Sequence, residues 1–171
     1  NIKCTAIDNK DLVLKNTFNN IQKYNLLNKI NIVNSNGLDN YKVKGNETVI
    51  IAGMGTNNIL DILKNDEFNK INTLIIQSNN DLYKLRKEIC KNYYIDKEEI
   101  IFDKKYYSII RFKKGYKKYS YFSYYFGLSN NIDYKKYLYK SLYKTYKNIP
   151  FKNLIKKIKY KILLLKLKET I

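Results

Sequence analysis

Histidine is absent from the 171-residue chain, and cysteine occurs only at Cys4 and Cys90. Those scarcities remove most zinc sites, every histidine-based catalytic triad and any disulfide framework. No metal is therefore expected. No run of about 20 uncharged apolar residues occurs, so no membrane-spanning helix is expected. The N-terminus, Asn1-Ile2-Lys3-Cys4-Thr5, lacks the apolar region of a secretion signal. Two thiols without such a signal suit a reducing cytoplasm. Acidic residues are scarce in one place: only Asp133 and Glu169 follow Asp103.

What is present is a hydrophobic fraction of 44% and a net charge of +18. The first excludes a wholly disordered chain. The second is unevenly spread. Asn1 to Asp103 carries 14 basic and 13 acidic residues, whereas Lys104 to Ile171 carries 19 and 2. A segment of net +17 favours polyanions: RNA, DNA or an anionic membrane. The abundance of Lys, Asn, Ile and Tyr resembles an AT-rich coding bias, which explains Lys over Arg but not the missing acids.

Hydrophobic patterning predicts short strands at Ile2–Ile7, Ile30–Val33, Thr48–Ala52 and Ile71–Gln77, with helices near Asp11–Tyr24, Asn57–Lys64 and Asn80–Cys90. The first helix offers Leu12, Leu14, Phe18 and Ile21 as core positions. Thr48–Ala52 is apolar enough for a strand covered on both faces. Glu98–Phe102 and Tyr106–Phe112 read as an antiparallel pair turned at Asp103-Lys104-Lys105. This alternation indicates an α/β protein with a largely parallel sheet. After an aromatic stretch, Tyr119–Phe126, a helix is expected over Asp133–Asn148 and another opening at Pro150. Phe151, Leu154, Ile158, Ile162 and Leu165 form the expected seam of a helical hairpin with coiled-coil-like packing. The domain division expected is 1–127 for the sheet domain and 128–171 for the basic tail.

Ligands in open α/β sheets sit beyond the carboxyl ends of the strands. Asp8 follows the first strand, where a carboxylate can hold ribose hydroxyls or cap the next helix. Asn36 and Gly37 follow the second; the Asn amide can meet an adenine edge, or the pair is a turn. Gly53, Met54 and Gly55 follow the third, either as backbone open to a ligand at a helix N-terminus or as a tight turn. Gln77, Ser78 and Asn79 follow the fourth, offering amides and a hydroxyl to a planar base or merely opening a helix.

Ala6-Ile7-Asp8, Asn36-Gly37-Leu38, Ile50-Ile51-Ala52-Gly53-Met54-Gly55, Leu74-Ile75-Ile76-Gln77, Leu85-Arg86 and Tyr107-Ser108-Ile109-Ile110 follow in order. This series resembles the bacterial tRNA (adenine-N1) methyltransferases acting at position 22, a class I S-adenosylmethionine-dependent family with a C-terminal coiled coil. The resemblance runs from Ala6 to about Gly127. It implies a Rossmann-like fold, S-adenosyl-L-methionine as cofactor and tRNA as partner. It implies that Asp8 holds the cofactor ribose, that Asn36 and Gly37 lie near its adenine, and that Gly53, Met54, Gly55 and Gln77 line the transfer site. Three positions depart from the family pattern: Thr56 replaces a second Gly, Ser78 replaces Pro, and Asn36 replaces Asp.

The family's first strand and its Gly-rich loop have no counterpart here. That strand lies at the centre of the family's sheet, between the strands ending at Asp8 and Ala52. The expectation is a chain lacking its N-terminal part, which binds S-adenosylmethionine weakly or not at all.

Methylation of adenine N1 uses an in-plane lone pair, so neither a covalent nucleophile nor a strong base is required. The enzyme must align the reactants and hold a flipped base. Gln77, Ser78 and Asn79 are the expected base contacts. Tyr107 and Tyr119–Phe126 are stacking candidates, or strand-face packing. Lys135, Lys136, Lys140, Lys144, Lys152, Lys156, Lys157 and Lys159 are expected to grip RNA phosphates, or to form a solvated helix surface. Two other functions remain open: a different RNA or DNA adenine methyltransferase, and a non-enzymatic RNA-binding module. A membrane-surface role is not expected, and the oligomeric state is open.

Overall fold

A computed structural model describes residues 2–171. The chain divides into two compact units, one of residues 1–48 and 57–72 and the other of residues 49–56 and 73–171.

In the first unit, β1 (Cys4–Asp8) pairs in parallel with β2 (Ile30–Asn34), Asp8 standing opposite Asn34. The crossover between them is α1 (Asp11–Lys23), as a parallel pair requires. Only Ile21 of α1 is buried; Leu12 is 71% and Phe18 47% exposed, which corrects their expected core role. Periodicity marks an apolar face without saying how much of it is covered. Most of α2 (Thr56–Ile62) also belongs here, with a 3-10 turn at Asp66–Lys70. Its Asn65 side chain caps that turn by accepting from the Glu67 amide at 2.9 Å.

The second unit holds a four-stranded sheet in the order β3 (Thr48–Met54), β4 (Thr73–Ser78), β6 (Lys105–Lys114), β5 (Tyr93–Asp103). The β5–β6 hairpin turns at Lys104, in the left-handed region with φ 59°. Both β4–β6 and β5–β6 are antiparallel, so parallel pairing is a smaller share than expected. The core is Leu74 and Ile76 of β4, Ile110 and Phe112 of β6, and Leu85 and Ile89 of α3 (Leu82–Ile89). Alternation along β4 is strict, as for a strand whose two faces differ. β3 is an edge strand, hydrogen-bonded on one side only, and Ile50 is 67% exposed. The expected covering of both its faces is therefore corrected. Likewise, among the described residues β1 has only β2 as a neighbour.

The tail comprises α4 (Tyr121–Phe126), α5 (Ile132–Lys147) and α6 (Leu154–Lys168). Lys135, near the start of α5, donates to the Thr170 carbonyl just past α6 at 3.4 Å, which makes the hairpin antiparallel. Phe126, Leu163 and Leu167 form its core, with Phe122, Tyr125, Leu138, Tyr139 and Leu142 packed around them. Two expectations fail here. Pro150 precedes the helix, whose N-cap is Asn153. Phe151, Leu154, Ile158, Ile162 and Leu165 are all exposed rather than forming the seam. A helix with apolar residues on two faces can seat either, and the leucine-rich face is the one buried.

A buried ion pair fastens the tail to the sheet. Arg86 of α3 and Glu98 of β5 have fully buried side chains, with Nη2 and Oε1 2.5 Å apart. Glu98 also accepts from Ser108 Oγ at 2.6 Å and from the Leu128 amide at 2.7 Å. Arg86 Nη1 donates to the Tyr124 carbonyl at 2.9 Å. Such a pair offsets its desolvation only when it is further hydrogen-bonded, and each buried side-chain nitrogen or oxygen of the pair except Arg86 Nε has at least one partner. No helix among the described residues is long and apolar enough to cross a membrane.

Candidate active site

The ends of β3 and β4 carry a closed ring of amide hydrogen bonds. Gly53 N–H donates to Gln77 Oε1 at 2.8 Å. Asn79 Nδ2 donates to the Gly53 carbonyl at 2.8 Å, and Gln77 Nε2 to Asn79 Oδ1 at 3.3 Å. The Asn79 amide adds a bond to the Met54 carbonyl at 2.9 Å. Gly53 has φ 77°, and a Cβ there would meet nothing within 4 Å. The glycine thus supplies the backbone conformation and leaves open space above it.

Strand alternation sends Ser78 the other way. Ser78 and Thr56 are 6% and 1% exposed, their hydroxyl oxygens 2.9 Å apart. Both reach the Asn80 carbonyl, Thr56 at 2.6 Å and Ser78 at 2.9 Å, and the Thr56 amide donates to Asn80 Oδ1 at 2.9 Å. Gln77 and Asn79 therefore present their amides beside Gly53, while Ser78 anchors the loop from beneath. Thr56 and Asn80 were not expected as site residues. Their signal is small polar side chains in the first turn of α2 and just ahead of α3. Gly55 abuts Asn80, a Cβ there lying 3.6 Å from its amide.

In the first unit, Asp8 Oδ1 accepts from the Lys10 amide at 2.9 Å, which leaves Oδ2 without a partner among the described residues. The Asp8 carbonyl accepts from Ser35 N–H at 3.0 Å, so the β1 and β2 ends are tied together. Asn36 is exposed and donates to Asp39 Oδ2 at 3.3 Å. Gly37 has φ 58°, and a Cβ there would lie 2.9 Å from Ile62 Cγ2, so both backbone and space call for glycine. Asp8, Asn36 and Gly37 thus share one end of the β1–β2 pair.

The lysines of the tail divide by environment. Lys136, Lys140, Lys144, Lys152, Lys156 and Lys159 are exposed, and Lys135 and Lys157 half-buried. Lys157 lies over Phe151 at 4.1 Å and Tyr146 at 5.6 Å. Lys159 lies over Tyr125 at 5.4 Å and Tyr121 at 5.9 Å, and hydrogen bonds to Tyr125, then Tyr121, raise its pKa above the ordinary lysine value. Tyr83 of α3 packs against Tyr125, the ring centroids 4.2 Å apart and the planes tilted by 34°. Burial pushes the Cys90 thiol up to about 11, which makes it inert, whereas Cys4 is exposed. No cluster of potential metal ligands occurs among the described residues.

A methyltransferase-domain family model matches residues 1–110. No curated protein matches the chain. Among solved structures, M. capricolum TrmK, in complex with the natural cofactor product S-adenosyl-homocysteine, is 30% identical, with a TM-score of 0.80 over 98% of this chain and 79% of that one. A protein of the NADB-Rossmann superfamily from Streptococcus agalactiae is 24% identical, with a TM-score of 0.85 over 98% and 79% of the two chains. The B. subtilis m1A22 tRNA methyltransferase TrmK is 20% identical, with a TM-score of 0.78 over 98% and 81%. These two show the Rossmann-like fold. The matched domain and the M. capricolum relative show the family: the chain belongs to the tRNA (adenine(22)-N1)-methyltransferases of the TrmK type.

Proposed function

We propose that this protein's catalytic unit transfers a methyl group from S-adenosyl-L-methionine to N1 of an adenosine in tRNA, at position 22 by family. The amide ring of Gly53, Gln77 and Asn79 carries this reading. Residues of each unit, taken separately, suit the cofactor in kind: in the first, Asp8 Oδ2 has no partner among the described residues and Asn36 and Gly37 lie at the same strand ends, and in the second, Gly53 leaves open space. When bound, the cofactor supplies an electrophilic methyl group on a sulfonium. The chain's own residues do the rest. Asp8 takes the ribose hydroxyls, while Asn36 and Gly37 line the adenine. Gln77 Oε1 and the Gly53 carbonyl have spare lone pairs for the exocyclic amine of the substrate adenine. N1-methylation leaves a positive charge on the ring, which these acceptors stabilise. Met54 and Gly55 close the floor, and Ser78 holds Gln77 and Asn79 in line through Thr56. No base is needed.

The tail at 128–171 grips tRNA phosphates through Lys135, Lys136, Lys140, Lys144, Lys152, Lys156, Lys157 and Lys159, and residues 1–127 carry the chemistry. A tRNA substrate implies a cytoplasmic protein. The edges of β1 and β3, unpaired among the described residues, favour a second reading: RNA binding with little methyl transfer. Under that second reading alone, S-adenosylmethionine binds more weakly than micromolar (about −8 kcal/mol), and micromolar binding in calorimetry refutes it in favour of the first.

The test is methylation of a tRNA transcript with adenosine at position 22, mapped by reverse-transcription stops. Gln77→Ala and Asn79→Ala are each expected to lower kcat by about 10²-fold or more, the usual cost of losing a positioned polar contact. Unchanged rates in both variants would refute the assignment.

A further inference from the structure

The hairpin buries one face of α6 and leaves the opposite face bare. Leu163 and Leu167 are fully buried, whereas Ile155 is 87%, Ile158 49%, Ile162 50% and Leu165 57% exposed. These four recur at steps of three, four and three, which is the a/d spacing of two heptads. At 3.6 residues per turn they occupy a sector about 80° wide, roughly opposite the buried leucines. Lysines border it on both sides: Lys159 and Lys166 at the e positions, Lys161 and Lys168 at the g positions. Lys161 and Lys168 make no ion pair among the described residues, and Lys166 pairs only with Glu169 of its own turn at 2.6 Å.

The flanks decide the occupant. A second copy of this helix would set lysine against lysine in either orientation. RNA makes its contacts through phosphates and stacked bases and has little use for an aliphatic stripe. A lipid surface takes a broad apolar face and needs no heptad register, whereas this stripe is narrow and registered. We propose that the Ile155–Leu165 seam receives one amphipathic helix of a partner protein whose own Ile/Leu stripe is flanked by glutamate or aspartate. The two heptads from Ile155 to Lys168 offer about 21 Å of helix for this contact. This inference stands independently of the methyl-transfer reading.

The test titrates the full chain into a fluorescein-labelled 21-residue peptide with Ile at a, Leu at d and Glu at e and g. A control peptide keeps the glutamates but has Ser at a and d. The first is expected to bind at least tenfold more tightly by anisotropy. Ile158→Ser with Ile162→Ser is expected to weaken it at least tenfold without shifting the thermal melt, since both side chains are exposed. Lys161→Glu with Lys168→Glu is expected to weaken it as well. Equal binding of the two peptides, no binding, or indifference to the serine pair overturns the proposal. Isoleucine-dependent dimerisation in sedimentation overturns it in favour of a second copy. Isoleucine-dependent binding to phosphatidylcholine–phosphatidylglycerol vesicles, with none to the peptide, overturns it in favour of a lipid surface.

Discussion

Among the glycines, Gly127 is where an added methyl group meets the tightest space. Gly127 has φ 78° and ψ −171°, a region that essentially only glycine enters, at about 1–3 kcal/mol for other residues. Space is shorter still. A Cβ would stand 2.5 Å from Glu98 Oε2, 2.6 Å from Oε1 and 2.8 Å from Arg86 Nη2. None of these atoms can withdraw into water, because both side chains are fully buried. Displacing Glu98 weakens its bonds to Arg86, Ser108 and Leu128 together, and breaking a buried pair costs about 3–5 kcal/mol. Backbone relaxation recovers part of the sum, so about 3–5 kcal/mol of net destabilisation is expected. At about 2–4 °C per kcal/mol for a chain of this size, the melting temperature falls by about 6–20 °C. Thermal and urea unfolding followed by circular dichroism measure it. Gly115→Ala is the control: φ is 135°, but its Cβ would meet only the Tyr94 ring, at 3.4 Å. If Gly127→Ala costs under about 1 kcal/mol, or no more than Gly115→Ala, the close-packed junction is wrong.

Other expectations follow the same logic. Native chain treated with iodoacetamide should gain one adduct, on Cys4, and a second on Cys90 only after unfolding; mass spectrometry counts them, and rapid native labelling of Cys90 would contradict its burial. Thr56→Val should destabilise the chain by about 0.5–1.5 kcal/mol through loss of the Thr56 hydroxyl's bonds to Ser78 and the Asn80 carbonyl, which still have each other, with Thr56→Ser largely retaining stability. Glu67 is held below its ordinary value of 4.5, first by Lys70 and then by the Val43 amide. Its contribution is present in full above pH 4.5 and disappears as pH falls through the lowered folded value. The stability gap between wild type and Glu67→Gln should therefore close on acidification, and a gap that widens would reverse the sign. Affinity for tRNA should fall about 10³–10⁵-fold between 50 and 200 mM salt if six to ten phosphates are engaged; a flat response removes the lysines from the interface.

The strand and helix series was legible because its signals are local. Alternation in Thr73–Ser78, the break at Gly53 and the turn at Lys104 each lie within a few residues. What was hidden depends on distant partners. Leu12 and Ile162 carry the same periodic signature as Ile21 and Leu163, and only the tertiary neighbours separate the exposed from the buried. Arg86 stands in the motif series and Glu98 at a strand start, but nothing local marks them as partners, and the folded chain buries both. Gln77 and Asn79 could be placed at a strand end from sequence, but their bonds to the Gly53 peptide could not.

The loop after β4 already satisfies its own amides before any visitor arrives. Under the proposed function, a nucleobase at this loop would compete mainly with water, for the few protons and lone pairs that the internal bonds leave over. A base whose edge mismatches those leftovers would gain nothing to hold it.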